Sequence, residues 1–133
     1  AGRPVAKDEL KAIVDTFFRL VQQRDKSAID MFDPTGVLIG SAAGEVCDGR
    51  DAIVAHLDTI YGLPVRLGAE WHTTMARSTD APIAWFWAEG DLLLTSDDGS
   101  VARRPYRLAC VLVRDGKTWR IQLFSGSEPV VSH

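Results

Sequence analysis

"RLACVLVRDGKTWRIQLF", residues 107 to 124, decides how this chain folds and which way its sheet faces. Two extended runs rich in Val, Leu and Ile flank residues 114–117, where Asp115 and Gly116 supply a tight turn. A turn this short joins antiparallel neighbours, because a parallel pair needs a crossover of a dozen or more residues. Along the first run, side chains alternate between two faces. Arg107, Ala109 and Val111 share one, and Tyr106, Leu108, Cys110 and Leu112 share the other. The direction of Arg107 fixes both.

Working back from this hairpin, extended segments fall at 65–79, 83–96, 101–114 and 118–125, separated by "TDAP", "SDDG" and "RDGK". Upstream of Val65 the period is helical. Leu10, Ile13, Val14, Phe17, Leu20 and Val21 predict a long amphipathic helix over 7–24, with Asp8 and Glu9 near its positive end. A short second helix is expected over 27–32, capped by Ser27 and ended by Pro34, and then a strand, "GVLIG". Ile53, His56, Leu57 and Ile60 fall on one face of a third helix over 51–61, which Gly62 and Pro64 terminate. Helices first and strands last argue for an α+β fold, with Leu10, Val14, Phe17, Ile53, Leu57 and Ile60 buried against an antiparallel meander.

With 133 residues, 46% hydrophobic and 25% charged, residues 1–133 read as one domain able to bury about two-thirds of its unfolded surface. A formal net charge of −3 gives no basic footprint, so neither nucleic acid nor an acidic membrane surface is an expected partner. Cys47 and Cys110 are too few and too far apart for a disulfide framework. Free thiols suit a reducing cytoplasm, although a chain starting at Ala1 leaves a removed signal peptide, and hence secretion or a periplasm, open. His56, His72 and His133 show no metal spacing, and G-x-S-x-G, P-loop, H-E-x-x-H and G-x-G-x-x-G are all absent. No metal and no cofactor are expected.

The first helix, followed by "RDKSAIDMFDPTGVLIG", "GEVCDGRDAIVAHL" and "RLACVLVRDGKTWRIQLFSGS", resembles the nuclear transport factor 2-like superfamily, which includes ketosteroid isomerases and SnoaL-like polyketide cyclases. The closing "DGKTWRI" and "SGSEP" most resemble the SnoaL-like group related to association domains of calcium/calmodulin-dependent protein kinases. The resemblance implies a cone of three N-terminal helices on a strongly curved, mostly antiparallel sheet, with a cavity between them. It implies a small-molecule ligand and lyase, isomerase or cyclase chemistry on a small carbonyl or carboxylate compound. The alternative is a non-catalytic oligomerisation or binding module. Steroid isomerisation itself is not expected. The first-helix tyrosine position falls at Phe17, the general-base position at Gly40 or Ser41, and the second donor at Leu108 or Ala109. The arginine that precedes "SGS" in the association domains is replaced by Phe124, which puts their anion pocket in doubt.

In "IAWFWAEGDLLL", residues 83–94, alternation groups Trp85, Trp87, Glu89 and Asp91 on one face. If that face lines the implied cavity, Trp87, Glu89 and Asp91 meet the ligand; otherwise the acids lie in water and the indoles in a subunit contact. An internal Arg107 would need Glu89 or Asp91 as its counter-charge, whereas an outward one would form a surface pair worth under about 1 kcal/mol. His56 is either a hydrogen-bonded core histidine or a pocket residue, and the family draws a pocket side chain from this helix position. His56, Glu89 and Arg107 are therefore the expected catalytic group, with Phe17, Tyr61, Trp87 and Asp91 binding substrate and His72 on the surface. With Arg107 inward, Tyr106, Leu108, Cys110 and Leu112 make an outward apolar stripe, which predicts a homodimer.

Overall fold

The hairpin forms as its turn chemistry predicts, and four more strand pairings extend it on both sides. The computed structural model describes residues 7–78 and 82–130. Helix α1 (Lys7–Gln22) leads through a 3-10 turn (Lys26–Met31) to strands β1 (Phe32–Ile39) and β2 (Val46–Asp48). Helix α2 (Arg50–Tyr61) follows, and then β3 (Val65–Ser78), β4 (Ile83–Ser96), β5 (Val101–Asp115) and β6 (Thr118–Ser127). The six strands form one curved sheet in the order β2-β1-β6-β5-β4-β3. All pairs are antiparallel except β1 with β6. Of "TDAP", only Pro82 lies within the described residues.

Local chemistry explains where the elements differ from expectation. Helix α1 stops two residues early because Arg24 turns left-handed at φ 55°, with Asp25 N–H donating to Leu20 O and Arg24 N–H to Val21 O. The Arg24 side chain then donates to Leu63 O at 2.7 Å, and Tyr61 Oη to Asp25 O at 2.7 Å. These bonds tie the end of α1 to the end of α2. Asp25, not Ser27, caps the 3-10 turn, its carboxylate accepting from Ser27 N at 2.8 Å. Strand β1 begins earlier than "GVLIG", at Phe32, and tolerates Pro34 because an irregularity separates its pairings at Phe32 and Val37. Strand β2 has three residues and only Cys47 buried, too short a pattern to see in sequence.

The core lies between the helices and one face of the sheet. Leu10, Val14, Ile53, Phe86, Leu108, Leu112 and Ile121 have no exposure, and Phe17 and Leu57 are buried with them. Ile60 is only half-buried. The parity of β5 is opposite to the one the cavity reading required. Tyr106, Leu108, Cys110 and Leu112 face the helices and are buried, so the predicted outward apolar stripe does not exist. Arg107 and Glu89 instead point outward, with side chains 47% and 41% exposed. The energetics favour this. Burying each large apolar side chain stabilises by about 1.5–3 kcal/mol, whereas burying the ion pair would cost several kcal/mol of desolvation per charge.

Candidate functional site

Between the sheet's inner face and the two helices lies a cavity of about 120 Å³. Phe17, Phe18 and Val21 of α1 form one wall, and His56, Leu57 and Ile60 of α2 another. Leu67, Leu92, Tyr106 and Phe124 rise from the sheet, while Gly40, Ser41 and Glu45 sit where β1 leaves it. The polar side chains of this lining are Ser41, Glu45, His56 and Tyr106; Lys and Arg are absent from it.

Tyr106 owes its place to its neighbours. Trp71 stacks on it at 6.2 Å between ring centroids, and Phe18 meets it edge-on at 6.5 Å. Trp71 itself reaches the inner face beside a β-bulge between Trp71 and Thr73, opposite Gly90. A methyl group at Gly90 would lie 2.0 Å from Glu70 O, so glycine is required for this close approach. The phenol then crosses β6 at Gly126, where a methyl group would stand 1.8 Å from Tyr106 Oη. Burial, with the nearby Cys110, Glu128 and Glu45, pushes the Tyr106 hydroxyl far above its ordinary ionisation range. It remains a proton-carrying donor throughout the working pH range.

The expected site residues divide between two faces. His56 and Phe17 line the cavity. Trp87, Glu89, Asp91 and Arg107 do not, because all four stand on the outer face. The Arg107 to Glu89 pair does form, Arg107 Nε donating to Glu89 Oε2 at 2.8 Å, but in water rather than beside the cavity. Asp91 joins Arg103 at 3.3 Å and His72 at 3.5 Å on the same outer surface. Tyr61 spends its hydroxyl on Asp25 O and borders a separate shallow dimple. Glu45 was not singled out from sequence, Tyr106 was expected on the outward stripe, and Ser41 entered only as one of two positions for a missing general base. The signal for Tyr106 was available, since it shares parity with Leu108, Cys110 and Leu112, the more apolar face of β5.

Beyond the cavity, the outer face carries an open apolar groove of about 370 Å³ lined by Met75, Trp85, Trp87, Ala109, Val111 and Leu123. Among the described residues no helix is long and apolar enough to cross a membrane, and no group of three or more His, Cys, Asp or Glu is gathered to hold a metal.

The sequence pattern of the SnoaL-like domain matches residues 10–131. The chain belongs to the SnoaL-like family. Solved structures agree in fold. One from Xanthomonas campestris, provisionally named a calcium/calmodulin-dependent protein kinase II association domain, is 19% identical with a TM-score of 0.81, over 93% of this chain and 88% of that one. A nuclear transport factor 2-like protein from Novosphingobium aromaticivorans, described with a cystatin-like fold, is 14% identical with a TM-score of 0.77, over 95% and 83%. A provisionally named dehydratase from Streptomyces avermitilis is 13% identical with a TM-score of 0.77, over 93% and 97%. No curated protein matches. At these identities the likeness is one of fold.

In this SnoaL-like chain the resemblance to ketosteroid isomerases points to Gly40 or Ser41 and to Leu108 or Ala109 as acid positions, and none of these four residues is an acid. A methyl group at Gly40 would lie 1.6 Å from Glu45 Oε1, so the Glu45 carboxylate occupies the space a side chain at position 40 would take. Leu108 is wholly buried, and Tyr106 presents a hydroxyl on the same strand face two residues earlier.

Proposed function

We propose that this SnoaL-like domain binds a compact small molecule in the inner cavity and moves a proton on it, as an isomerase or lyase acting on a small carbonyl compound. The observation that carries the reading is one largely apolar cavity lined at once by His56 and by Tyr106, whose hydroxyl burial keeps protonated near neutral pH. Abstraction of a proton beside a carbonyl needs a base near neutrality and a donor for the developing oxyanion. His56 serves as the base, and the Tyr106 hydroxyl donates to the carbonyl oxygen. A carboxylate substrate fits less well, because no cationic side chain lines the cavity. The dehydratase name carried by the Streptomyces avermitilis structure is consistent with such chemistry.

The test is exchange of the α-protons of cyclohexanone in deuterated buffer, followed by NMR. Wild type is expected to exceed the buffer rate, His56→Ala to lose about 10²–10⁴-fold and Tyr106→Phe about 10²–10³-fold of the enhancement. Exchange that is unchanged in His56→Ala would end the assignment.

The outer groove supports a second, compatible role as a dimer interface, in the manner of an association module. Trp85 and Met75 expose 38% and 40% of their surface there. The neighbouring Glu89 to Arg107 pair carries both signs of charge, so two copies related by a two-fold axis would present acid to base.

A further inference from the structure

Among the side chains lining the cavity, Glu45 is the one that bears a carboxylate. It is half-buried, and its carboxylate folds back over Gly40. Among the described residues that carboxylate has neither an ion-pair partner nor a side-chain hydrogen bond. Its neighbour Glu128 is in the opposite condition. Arg104 holds Glu128 with two nitrogens, Nε at 2.7 Å from Oε1 and a terminal nitrogen at 3.1 Å from Oε2, and the Ser41 hydroxyl donates to Oε2 at 3.3 Å. Arg104, the arginine at this end of the cavity, is thereby already committed. The negative charge of Glu45 is left for whatever enters.

The remaining lining sets the shape. A cavity of about 120 Å³ compares with the ~150 Å³ that admit one benzene molecule in a site of Leu, Ile and Phe. Phe17, Phe18 and Phe124 offer ring faces and edges to such an occupant. Aromatic faces also attract cations, and charge-assisted hydrogen bonds to a carboxylate are about twice as strong as neutral ones.

We infer that the occupant is a single-ring compound bearing a basic nitrogen, whose ammonium group is held by Glu45 while the ring packs among the phenylalanines. This rests on the cavity reading above and adds the charge of the ligand to it. Anionic rings are disfavoured, since they would meet Glu45 without a compensating cation.

Benzylamine, benzyl alcohol and benzoate have similar size and differ in charge. They are titrated near neutral pH into the full chain, and into Glu45→Gln and Gly40→Ala, with binding followed by NMR. Benzylamine is expected to bind about tenfold tighter than benzyl alcohol, and benzoate more weakly than either. Glu45→Gln should bring benzylamine down to the level of benzyl alcohol while leaving the alcohol unchanged. In Gly40→Ala the added methyl displaces the carboxylate, and most of the preference should vanish without a change in melting. If the alcohol binds but the amine gains nothing over it, or the amine preference survives in Glu45→Gln, the charge assignment is overturned and the cavity reading stands. Tightest binding by benzoate likewise overturns it. Failure of all three probes to bind overturns both readings.

Discussion

Tyr106 concentrates most of what the site needs in one side chain. Its ring is wedged by Trp71 and Phe18, its oxygen is admitted by Gly126, and burial keeps its proton in place. The last property has a consequence for stability. In the unfolded chain a tyrosine releases its proton near the ordinary value of 10.0, and in the folded chain well above it. The folded-state value is raised, so the stability this group contributes is whole below pH 10 and falls as pH climbs beyond it. Cys110, raised by burial from 9.0, adds the same trend at slightly lower pH. Melting temperatures followed through the alkaline range should therefore decline less steeply in Tyr106→Phe than in wild type. Equal slopes would mean the phenol is not buried as described. At this scale the sequence was half-legible. His56 and Phe17 could be placed from helical spacing, but Glu45 sits in a loop whose path no periodicity reveals.

Strand β5 shows how one element carries two surfaces and why its parity matters. Its odd positions hold Pro105, Arg107, Ala109 and Val111, and its even positions Tyr106, Leu108, Cys110 and Leu112. Apolar bulk alone assigns the even set inward. The contrary expectation came from letting an implied cavity claim the charged residues, when the cavity draws on Tyr106 from the even set. Two substitutions on adjacent residues measure the difference by urea denaturation. Leu108→Ala should cost about 2–5 kcal/mol, as a deletion from a closed core. Arg107→Ala should cost under about 1 kcal/mol, because its pair with Glu89 is roughly half-exposed and screened by solvent. A loss of about 3–5 kcal/mol for Arg107→Ala would instead indicate a buried pair. The turns at "SDDG" and "RDGK" and the end of α2 were readable because Gly, Pro and Asp dictate local backbone. The Trp71 bulge was not, since it depends on the register against β4, and the three-residue β2 was not, since three residues are too few to show a pattern.

Across the whole molecule, the curved sheet separates two candidate surfaces. The inner face, with α1 and α2, encloses the cavity; the outer face exposes the groove around Trp85 and Trp87. The homodimer anticipated from sequence thus changes its proposed interface, from the stripe now buried at Leu108 and Leu112 to Met75, Trp85, Trp87, Val111 and Leu123. Sedimentation at micromolar concentration should show a dimer for the wild type and a monomer for Trp87→Glu, which places a charge in the groove. A wild-type monomer would remove the interface. Family and cone-shaped architecture were legible from motifs spread over most of the chain, whereas the division of residues between the two faces required the register of every strand.

On the proposed function the ligand enters the inner cavity, against His56 and Tyr106, and not the outer face at Arg107 and Glu89. The most direct measurement is a two-dimensional NMR titration of the isotope-labelled chain with cyclohexanone. The expected result is a set of shifts confined to Phe17, His56, Leu57, Tyr106 and Phe124, with the indole N–H signals of Trp85 and Trp87 and the side chain of Arg107 unmoved. Shifts at Trp87, Glu89 and Arg107, with the His56 and Tyr106 signals left in place, would contradict it.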